Sequence, residues 1–147
     1  MPRIRLQETV PFTPQQMYDL VVDMERYPEF LPWCVNGRKF HEEESHFHAE
    51  MTVSFKGVRE KFQTLDRLEP HKRIHITLLS GPFSNLESEW AFSPAANGCR
   101  IDFFIDFQFK STLLNLTLGP VFSQAAKQMV GSFRNRAVSL YGKHGSG

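Results

Sequence analysis

The sequence predicts an α+β domain in which a curved antiparallel sheet of about seven strands wraps around a long C-terminal helix. Apolar and polar residues alternate with a period of two near the N-terminus and in six segments between residues 35 and 109, as in strands with one buried face. Short connections rich in Gly, Pro and Asn link these six segments and favour an antiparallel meander. From Ser111 the apolar period changes to 3.6, which indicates an amphipathic helix.

The N-terminal part of the chain predicts a strand, a helix and a short helical turn. Residues Arg3 to Val10 alternate and form the first strand. Thr13 is a helix N-cap and Pro14 occupies the first helical position. The segment "YPEFLPWC", Tyr27 to Cys34, contains two prolines, which exclude a long helix or a central strand. It is nevertheless strongly apolar, so it either caps a core or forms the wall or mouth of an apolar cavity.

Six strands and one long helix are predicted for the rest of the chain. The six strands are Val35 to His41, His46 to Phe55, Val58 to Leu68, Arg73 to Leu79, Leu86 to Phe92 and Cys99 to Phe109. The helix runs from Ser111 to Tyr141, with a kink or break at Gly119 and Pro120. The last residues, 142–147, are predicted to form a frayed tail. No internal repeat or linker divides residues 1–147, so a single domain is expected.

Composition narrows the classes of function. With 41% hydrophobic and 22% charged residues, the chain of 147 residues is globular, and its net charge of +1 does not by itself suggest a polyanionic partner. The sequence has no apolar run of the ~18 residues that a membrane-spanning helix needs. The N-terminus lacks the apolar core of a secretory signal, so the expected location is the cytoplasm. Cys34 and Cys99 match no metal-binding spacing and are expected to be reduced thiols.

The inward-facing side chains allow two interpretations, a filled core or a cavity between the sheet and the last helix. The chain has 14 Phe residues, which bring large apolar area without a polar group. Phe83, in the stretch "SGPFSN", is expected to be exposed and would join the "YPEFLPWC" segment in an apolar rim, although an ordinary turn is the simpler interpretation of that stretch. The candidate cavity and rim residues are Phe30, Trp33, Met51, Val53, Phe55, Ile76, Leu78, Phe83, Trp90, Phe103, Phe107, Phe122, Met129 and Phe133.

Catalysis is not predicted, because most charged residues alternate outward and the pattern shows no buried ionisable group. An enzyme of this architecture would need an inward acid, base or oxyanion donor. The inward polar positions are Thr64, Ser88 and Glu60, while Asp102 and Asp106 alternate outward and should be solvated. No catalytic residue and no catalytic cofactor is therefore assigned.

The histidines suggest a metal site and the basic residues suggest an RNA-binding surface, and an ordinary solvated surface is the alternative to each. His46 and His48 share one strand face near His41, but no further ligand completes a zinc site, so no metal is predicted. Basic residues recur in the strands and turns of the middle sheet, where a charge-mixed solvated face is the simpler reading. They are Arg38, Lys39, Lys56, Arg59, Lys61, Arg67, Lys72 and Arg73, of which Arg38, Lys56, Arg59 and Lys61 are the candidates for a ribosome or RNA surface.

The element order together with four short stretches resembles the START-like, or helix-grip, superfamily. The stretches are "VPFTPQQMYDLVVDME", "YPEFLPWC", "GPFSNLESEW" and "FRNR". Within that superfamily the chain is similar to the coenzyme Q-binding, polyketide cyclase/dehydrase-like branch, which also includes a bacterial ribosome-association toxin. None of the matching residues is a catalytic signature. The resemblance implies a pocket between the sheet and the C-terminal helix that takes a polyisoprenoid quinone or a similar lipid.

The function expected from these observations is non-catalytic binding of coenzyme Q or another polyisoprenoid lipid, in support of quinone delivery and respiration. Such delivery would involve transient contact with the inner face of the membrane. The main alternative is a ribosome-association toxin-like protein that binds the large ribosomal subunit and blocks subunit joining. A cyclase-like enzyme is a third hypothesis, and it requires a buried ionisable group that the pattern does not show. DNA is not an expected partner.

Overall fold

The computed structural model describes residues 3–142, so residues 143–147 of the predicted tail lie outside the described part. The described chain forms seven strands, one 3-10 helix and four α-helices. The strands are β1 (Arg3–Val10), β2 (Cys34–Phe40), β3 (His46–Phe55), β4 (Val58–Glu69), β5 (Arg73–Ser80), β6 (Phe83–Ala95) and β7 (Gly98–Phe109). The helices are α1 (Pro14–Val22), the 3-10 helix (Met24–Glu29), α2 (Thr112–Thr117), α3 (Gly119–Lys127) and α4 (Met129–Tyr141).

All seven strands belong to one antiparallel sheet, as the sequence predicts. The strand order is β1-β7-β6-β5-β4-β3-β2, so β2 to β7 form a meander and β1 pairs with the last strand. In that outer pair Arg3 lies opposite Asp106, and Val10 lies opposite Cys99. The helices cover one face of the sheet, on which most of the buried side chains lie. The predicted helix-grip class is confirmed.

The helical segment after β1 is built as predicted. The Thr13 hydroxyl accepts from the Gln16 backbone N–H at 3.1 Å, and the Gln16 side chain accepts from the Thr13 N–H at 2.9 Å, which is a capping box. The 3-10 helix that follows contains Pro28. It lies directly on β2, because a Cβ at Gly37 would stand 2.3 Å from the Met24 carbonyl oxygen. Glycine at position 37 therefore sets how closely this helix approaches the sheet.

The predicted long C-terminal helix is divided into three. The break between α2 and α3 falls at Leu118, directly before Gly119 and Pro120, where a kink or break is expected, since proline has no N–H to continue the helical hydrogen bonds. The second break, at Gln128, is not foreseen in the sequence. There the Gln128 N–H is shared between the carbonyls of Gln124 and Ala125, and the residue keeps a right-handed helical conformation. The helical spacing of apolar residues continues across Gln128, so the sequence pattern gives no sign of this break.

The prediction that Phe83 is exposed on a loop is wrong. The connection is the short turn at Gly81 and Pro82, and Phe83 already belongs to β6 with 1% of its surface exposed. A bulge between Phe83 and Asn85 shifts the register, so Phe83 and Leu86 face the same way although they are three positions apart. A period of two cannot anticipate that shift, and the sequence prediction consequently starts the strand at Leu86.

Candidate ligand cavity

A cavity of about 90 Å³ lies between the middle of the sheet and the covering helices. The sheet supplies its floor from β3 to β7, the 3-10 helix and Trp33 supply one wall, and α3 and α4 supply the roof. The sixteen lining residues are Met24, Tyr27, Trp33, Met51, Phe62, Thr64, Asp66, Ile76, Leu86, Ser88, Trp90, Phe103, Ile105, Phe122, Met129 and Phe133.

Eight of the fourteen residues assigned to the cavity and rim from the sequence line it. They are Trp33, Met51, Ile76, Trp90, Phe103, Phe122, Met129 and Phe133. The other six do not line it, contrary to the prediction: Phe30, Val53, Phe55, Leu78, Phe83 and Phe107. No bound molecule tests any of the fourteen as a ligand contact, so their role in binding stays a prediction.

The misplaced residues belong mostly to a filled part of the core beside the cavity. Phe122 stands 4.6 Å from Phe107, 5.6 Å from Phe83 and 6.3 Å from Phe55, all measured between ring centroids. This aromatic cluster packs α3 onto the sheet beside the cavity. Val53 is likewise buried, with 3% exposed. A filled core and a cavity are therefore both present, in neighbouring parts of one interior, and alternation alone cannot divide them.

Phe30 and Leu78 lie at the border of the core. Phe30 is half-buried, and its ring centroid is 5.0 Å from that of Phe133 and 6.0 Å from that of Tyr27, both of which line the cavity. Leu78 is half-buried against the core from β5. Phe30 thus supports the wall from outside, so the apolar "YPEFLPWC" segment closes the cavity mainly through Tyr27 and Trp33.

Asp66 is the functional candidate that the sequence reasoning missed. The side chain lines the cavity and has 6% of its surface exposed, so the expectation that the interior contains no buried ionisable group is wrong. The signal was present in the sequence, because Asp66 follows Phe62 and Thr64 at intervals of two on β4 and so shares their face. Thr64 and Ser88, which the sequence did place inside, also line the cavity. Glu60 is half-buried and lies outside the lining.

Burial keeps the Asp66 carboxyl protonated in mild acid and partly protonated near neutral pH. Removal from water raises its pKa from 3.8 to about 7, and the hydrogen bond from the Thr64 hydroxyl, 2.7 Å from Oδ1, opposes part of that rise. Within residues 3–142 the carboxyl forms no ion pair, and this bond is the one that it receives. The cavity therefore contains a carboxylic acid whose other oxygen is free to donate to, or accept from, a guest molecule.

The other polar groups of the cavity are already engaged with the protein. The Tyr27 hydroxyl donates to the Val21 carbonyl, and burial, together with the nearby Asp66, raises its pKa well above 10. The Ser88 hydroxyl donates to the Phe104 carbonyl at 2.8 Å. Each of these hydroxyl oxygens retains acceptor capacity, but neither proton is available. Asp66 is consequently the group best able to orient a polar ligand atom.

Contacts between the 3-10 helix and α4 hold the wall of the cavity in place. Arg136 donates to the Glu29 carboxylate, and its guanidinium carbon lies 5.0 Å from the centre of the Phe30 ring. On the other side of α4, Arg134 donates to Glu8 of β1 at 2.6 Å. These two arginines belong to the "FRNR" stretch that supports the family resemblance. Their role in the structure is to fasten α4 over the cavity.

The remaining candidates from the sequence lie away from the cavity. Asp102 and Asp106 are on the outer face, as predicted, but are half-buried instead of fully solvated. Cys34 and Cys99 are unpaired and buried, and burial raises the pKa of each thiol to about 11, which leaves little thiolate at neutral pH. Among residues 3–142 no group of three or more His, Cys, Asp or Glu is placed to hold a metal ion.

Of the four basic residues assigned to a ribosome or RNA surface, one forms an ion pair within the described part of the chain and three do not. Arg38 lies 3.4 Å from a carboxylate oxygen of Glu50 and stacks on Phe40. Lys56, Arg59 and Lys61, in contrast, form no ion pair with any described carboxylate. All three are exposed, at or near the turn that joins β3 to β4. This turn therefore presents three cations, unpaired within residues 3–142, to a partner.

Comparison with known families gives a direct match over most of the chain. Residues 10–134 match the family described as polyketide cyclase / dehydrase and lipid transport. The chain belongs to this family. The match begins at the end of β1 and extends into α4, so it includes every residue that lines the cavity.

Two relatives of the chain carry different names. The chain is 40% identical to the ribosome association toxin RatA of Pseudomonas aeruginosa, over 90% of this chain and 93% of that protein. It is 33% identical to the mitochondrial coenzyme Q-binding protein COQ10 homolog B of Xenopus laevis, over 90% of this chain and 56% of that protein. Both names were anticipated by the resemblance seen in the sequence.

Solved structures with low sequence identity share the fold. A START superfamily protein from Mycobacterium smegmatis superposes with a TM-score of 0.79 at 15% identity, over 94% of this chain and 98% of that chain. The Zhui aromatase/cyclase from Streptomyces sp. R1128 gives a TM-score of 0.80 at 12% identity, over 92% of each chain. At such identities the likeness concerns the fold alone. Within residues 3–142, no helix has the length and apolar character that a membrane crossing requires.

Proposed function

We propose that this protein binds, without catalysis, an apolar molecule with a polar head group, of the polyisoprenoid quinone class. The observation that carries the proposal is a single carboxyl group, Asp66, in an otherwise apolar cavity. A protonated carboxyl can donate a hydrogen bond to a quinone carbonyl, while Trp90, Phe103 and Phe133 offer flat apolar contacts to a ring. The name of the coenzyme Q-binding relative supports this ligand class.

The size of the cavity indicates that its walls must move when a ligand enters. Its volume of about 90 Å³ is well below the roughly 300–1,000 Å³ of typical ligand pockets. Three of the lining residues, Met24, Met51 and Met129, are flexible methionines, which repack more readily than branched side chains. Met129 also stands at the α3–α4 junction, where the helix is already interrupted. Burial of an isoprenoid tail contributes about 0.8 kcal/mol per CH₂, which favours the expanded state.

The same cavity gives little support for catalysis. Acid–base chemistry commonly uses a second titratable group within reach of the reacting atoms. Besides Asp66, the ionisable group in the lining is Tyr27, whose hydroxyl proton is held by the Val21 carbonyl and whose pKa is raised. Carriage of a ligand needs only the cavity and one polar anchor, and both are present.

A fluorescence titration tests quinone binding at this site. The chain has two tryptophans, Trp33 and Trp90, and both line the cavity, so their emission reports on its occupancy. Addition of a short-chain ubiquinone in detergent should quench the emission saturably. Met129→Glu should abolish this response, because a charge would be placed in the apolar lining.

The matched control is Leu140→Glu, which makes a similar apolar-to-acidic change at an exposed position of α4, with 51% of the residue exposed. It should bind like the wild type. Equal quenching of all three proteins, or quenching that does not saturate, would contradict binding in the cavity. Circular dichroism of Met129→Glu establishes whether the sheet remains folded.

Ribosome association is a second candidate function, favoured by the RatA relatives and by the unpaired cations at the β3–β4 turn. In this case the protein would bind the large ribosomal subunit through Lys56, Arg59 and Lys61 and oppose subunit joining. Co-sedimentation with ribosomal subunits should then weaken steeply as salt rises, and reversal of these three charges should remove it. Charge reversal at Arg73 and Arg100, both of which are paired with carboxylates, is the control. Binding that survives the triple reversal would argue against this interface.

A further inference from the structure

The topology brings several short segments together at one end of the sheet. Because the strands are antiparallel, the β3–β4 turn, the β5–β6 turn, the start of β2 and the junction of β7 with α2 all lie at this end. The Lys110 N–H donates to the Pro82 carbonyl at 2.7 Å, and a Cβ at Gly81 would lie 3.5 Å from the Lys61 carbonyl oxygen. We call this end the α2 end, comprising residues 33–36, 54–62, 78–86 and 107–119.

Exposed aliphatic side chains are concentrated at the α2 end. Of the seven large hydrophobic residues that are exposed within residues 3–142, five lie there: Val35, Val58, Leu79, Leu113 and Leu116. The two leucines are the most exposed, at 67% and 72%, and stand three positions apart on one face of α2. None of the residues of α2 is buried. The helix thus packs Leu114 against the core and presents Leu113 and Leu116 outward.

The position of α2 is fixed by hydrogen bonds. The Asn115 side-chain amide accepts from the Phe109 N–H and donates to the Phe109 carbonyl, both at 3.0 Å. The Ser111 hydroxyl caps the helix by accepting from the Leu114 N–H. Leu113 and Leu116 are consequently held outward on a short anchored helix that leads directly into α3, where Phe122 lines the cavity.

The charge at the α2 end is strongly positive although the whole chain is nearly neutral, at +1. Its four segments contain the cations Lys56, Arg59, Lys61 and Lys110 and one acidic residue, Glu60. Among the described residues, none of these four cations has a carboxylate oxygen within the 4.0 Å that defines an ion pair. The opposite end of the sheet carries the acidic β2–β3 connection, residues 42–44.

We propose that the α2 end docks on an anionic lipid bilayer. Leu113 and Leu116 would insert at the boundary between head groups and acyl chains, while Lys56, Lys61 and Lys110 would contact lipid phosphates. Exposed aliphatic residues flanked by cations are typical of peripheral membrane-binding surfaces. Recognition of RNA uses exposed aromatic rings for stacking, whereas the phenylalanines of this end, Phe55, Phe83 and Phe109 among them, are buried. The inference concerns a surface outside the cavity and does not depend on what the cavity binds.

Vesicle flotation with the purified protein tests the proposal. The wild type should float with phosphatidylcholine vesicles that contain phosphatidylglycerol, and should float less with phosphatidylcholine alone or at high salt. The double variant Leu113→Ser/Leu116→Ser should reduce the bound fraction roughly tenfold, since two apolar anchors are lost. The fluorescence response to ubiquinone should be unchanged in detergent, because neither leucine lines the cavity.

The matched control is Val138→Ser/Leu140→Ser, which removes the two other exposed aliphatic residues, at 40% and 51% exposure, from α4. This variant should float like the wild type. The proposal is overturned if both double variants float equally well, or if the wild type does not float with anionic vesicles. Salt-sensitive binding to ribosomal subunits in place of vesicles, unaffected by loss of the two leucines, would likewise overturn it and assign the cations to RNA.

Discussion

At the scale of single residues, Asp66 determines the chemistry of the cavity. An isolated carboxyl in an apolar interior is costly when ionised, and the sheet compensates only with the Thr64 hydroxyl. The consequence is a group that is neutral when the cavity is dry and that ionises near neutral pH. Such a group both anchors a polar ligand atom and makes the stability of the protein depend on pH.

The sign of this dependence follows from the raised pKa. Between pH 4 and 7 the unfolded chain ionises at its ordinary pKa of 3.8 while the folded protein keeps the proton up to about 7, so stability is lost as the pH rises through this range. A shift of that size corresponds to roughly 4 kcal/mol as an upper bound. Asp66→Asn keeps the acceptor for Thr64 and removes the charge. The wild type minus variant difference in unfolding free energy should therefore fall with rising pH and level off above neutrality.

Urea denaturation at several pH values measures this difference, and Asp102→Asn is the control. Asp102 is on the outer face, and hydrogen bonds from Gln7 and Arg100 lower its pKa. Its contribution to stability is present above its ordinary pKa and is lost only as the pH falls below about 4. A flat difference for Asp66→Asn between pH 4 and 7 would mean that the carboxyl is hydrated in the folded protein.

At the scale of elements, the cavity depends on how closely the 3-10 helix packs against β2. Met24 and Tyr27 of this helix line the cavity, and glycine at position 37 permits the approach. Gly37→Ala would place a Cβ 2.3 Å from the Met24 carbonyl oxygen and push the helix outward. The expected cost is about 1–3 kcal/mol of unfolding free energy, together with weaker ubiquinone quenching.

Gly119→Ala is the matched control for this prediction. A Cβ at Gly119 meets nothing within 4 Å, and the residue begins α3, so the substitution should be neutral or stabilising by about 0.4–1 kcal/mol. Chemical denaturation of both variants provides the comparison. Equal stability of the two would show that the contact between the 3-10 helix and β2 relaxes without cost.

At the scale of the whole molecule, the sequence predicts the fold better than the site. Alternation, the Thr13 cap and the change of period at Ser111 yield the element order, because each reflects local geometry that the structure keeps. The bulge after Phe83 and the interruption at Gln128 are not predicted, since tertiary packing decides both. The pattern predicts which residues point inward. It cannot tell a filled core from a cavity, because both are lined by the same types of apolar residue. The inward position of Asp66 could have been predicted from the sequence, because Asp66 shares a strand face with Thr64.

The distribution of charged and apolar residues over the surface is uneven, which the overall composition does not indicate. A net charge of +1 suggests no preference for a polyanion, yet the chain order gathers four cations and five exposed aliphatic residues at the α2 end. If the α2 end docks on a bilayer, the docked helix α2 leads directly into α3, which carries the cavity residue Phe122. Membrane docking and opening of the cavity would then be linked through α3.

The most direct test of the account is native mass spectrometry, with organic extraction, of the protein purified from its own host. The account predicts a co-purifying polyisoprenoid quinone that is lost from Met129→Glu and retained in Leu140→Glu. A protein that is empty under native conditions, or that carries the same lipid in both variants, would contradict the claim that the cavity binds it. Sedimentation of such an empty protein with ribosomal particles at low salt would instead support ribosome association.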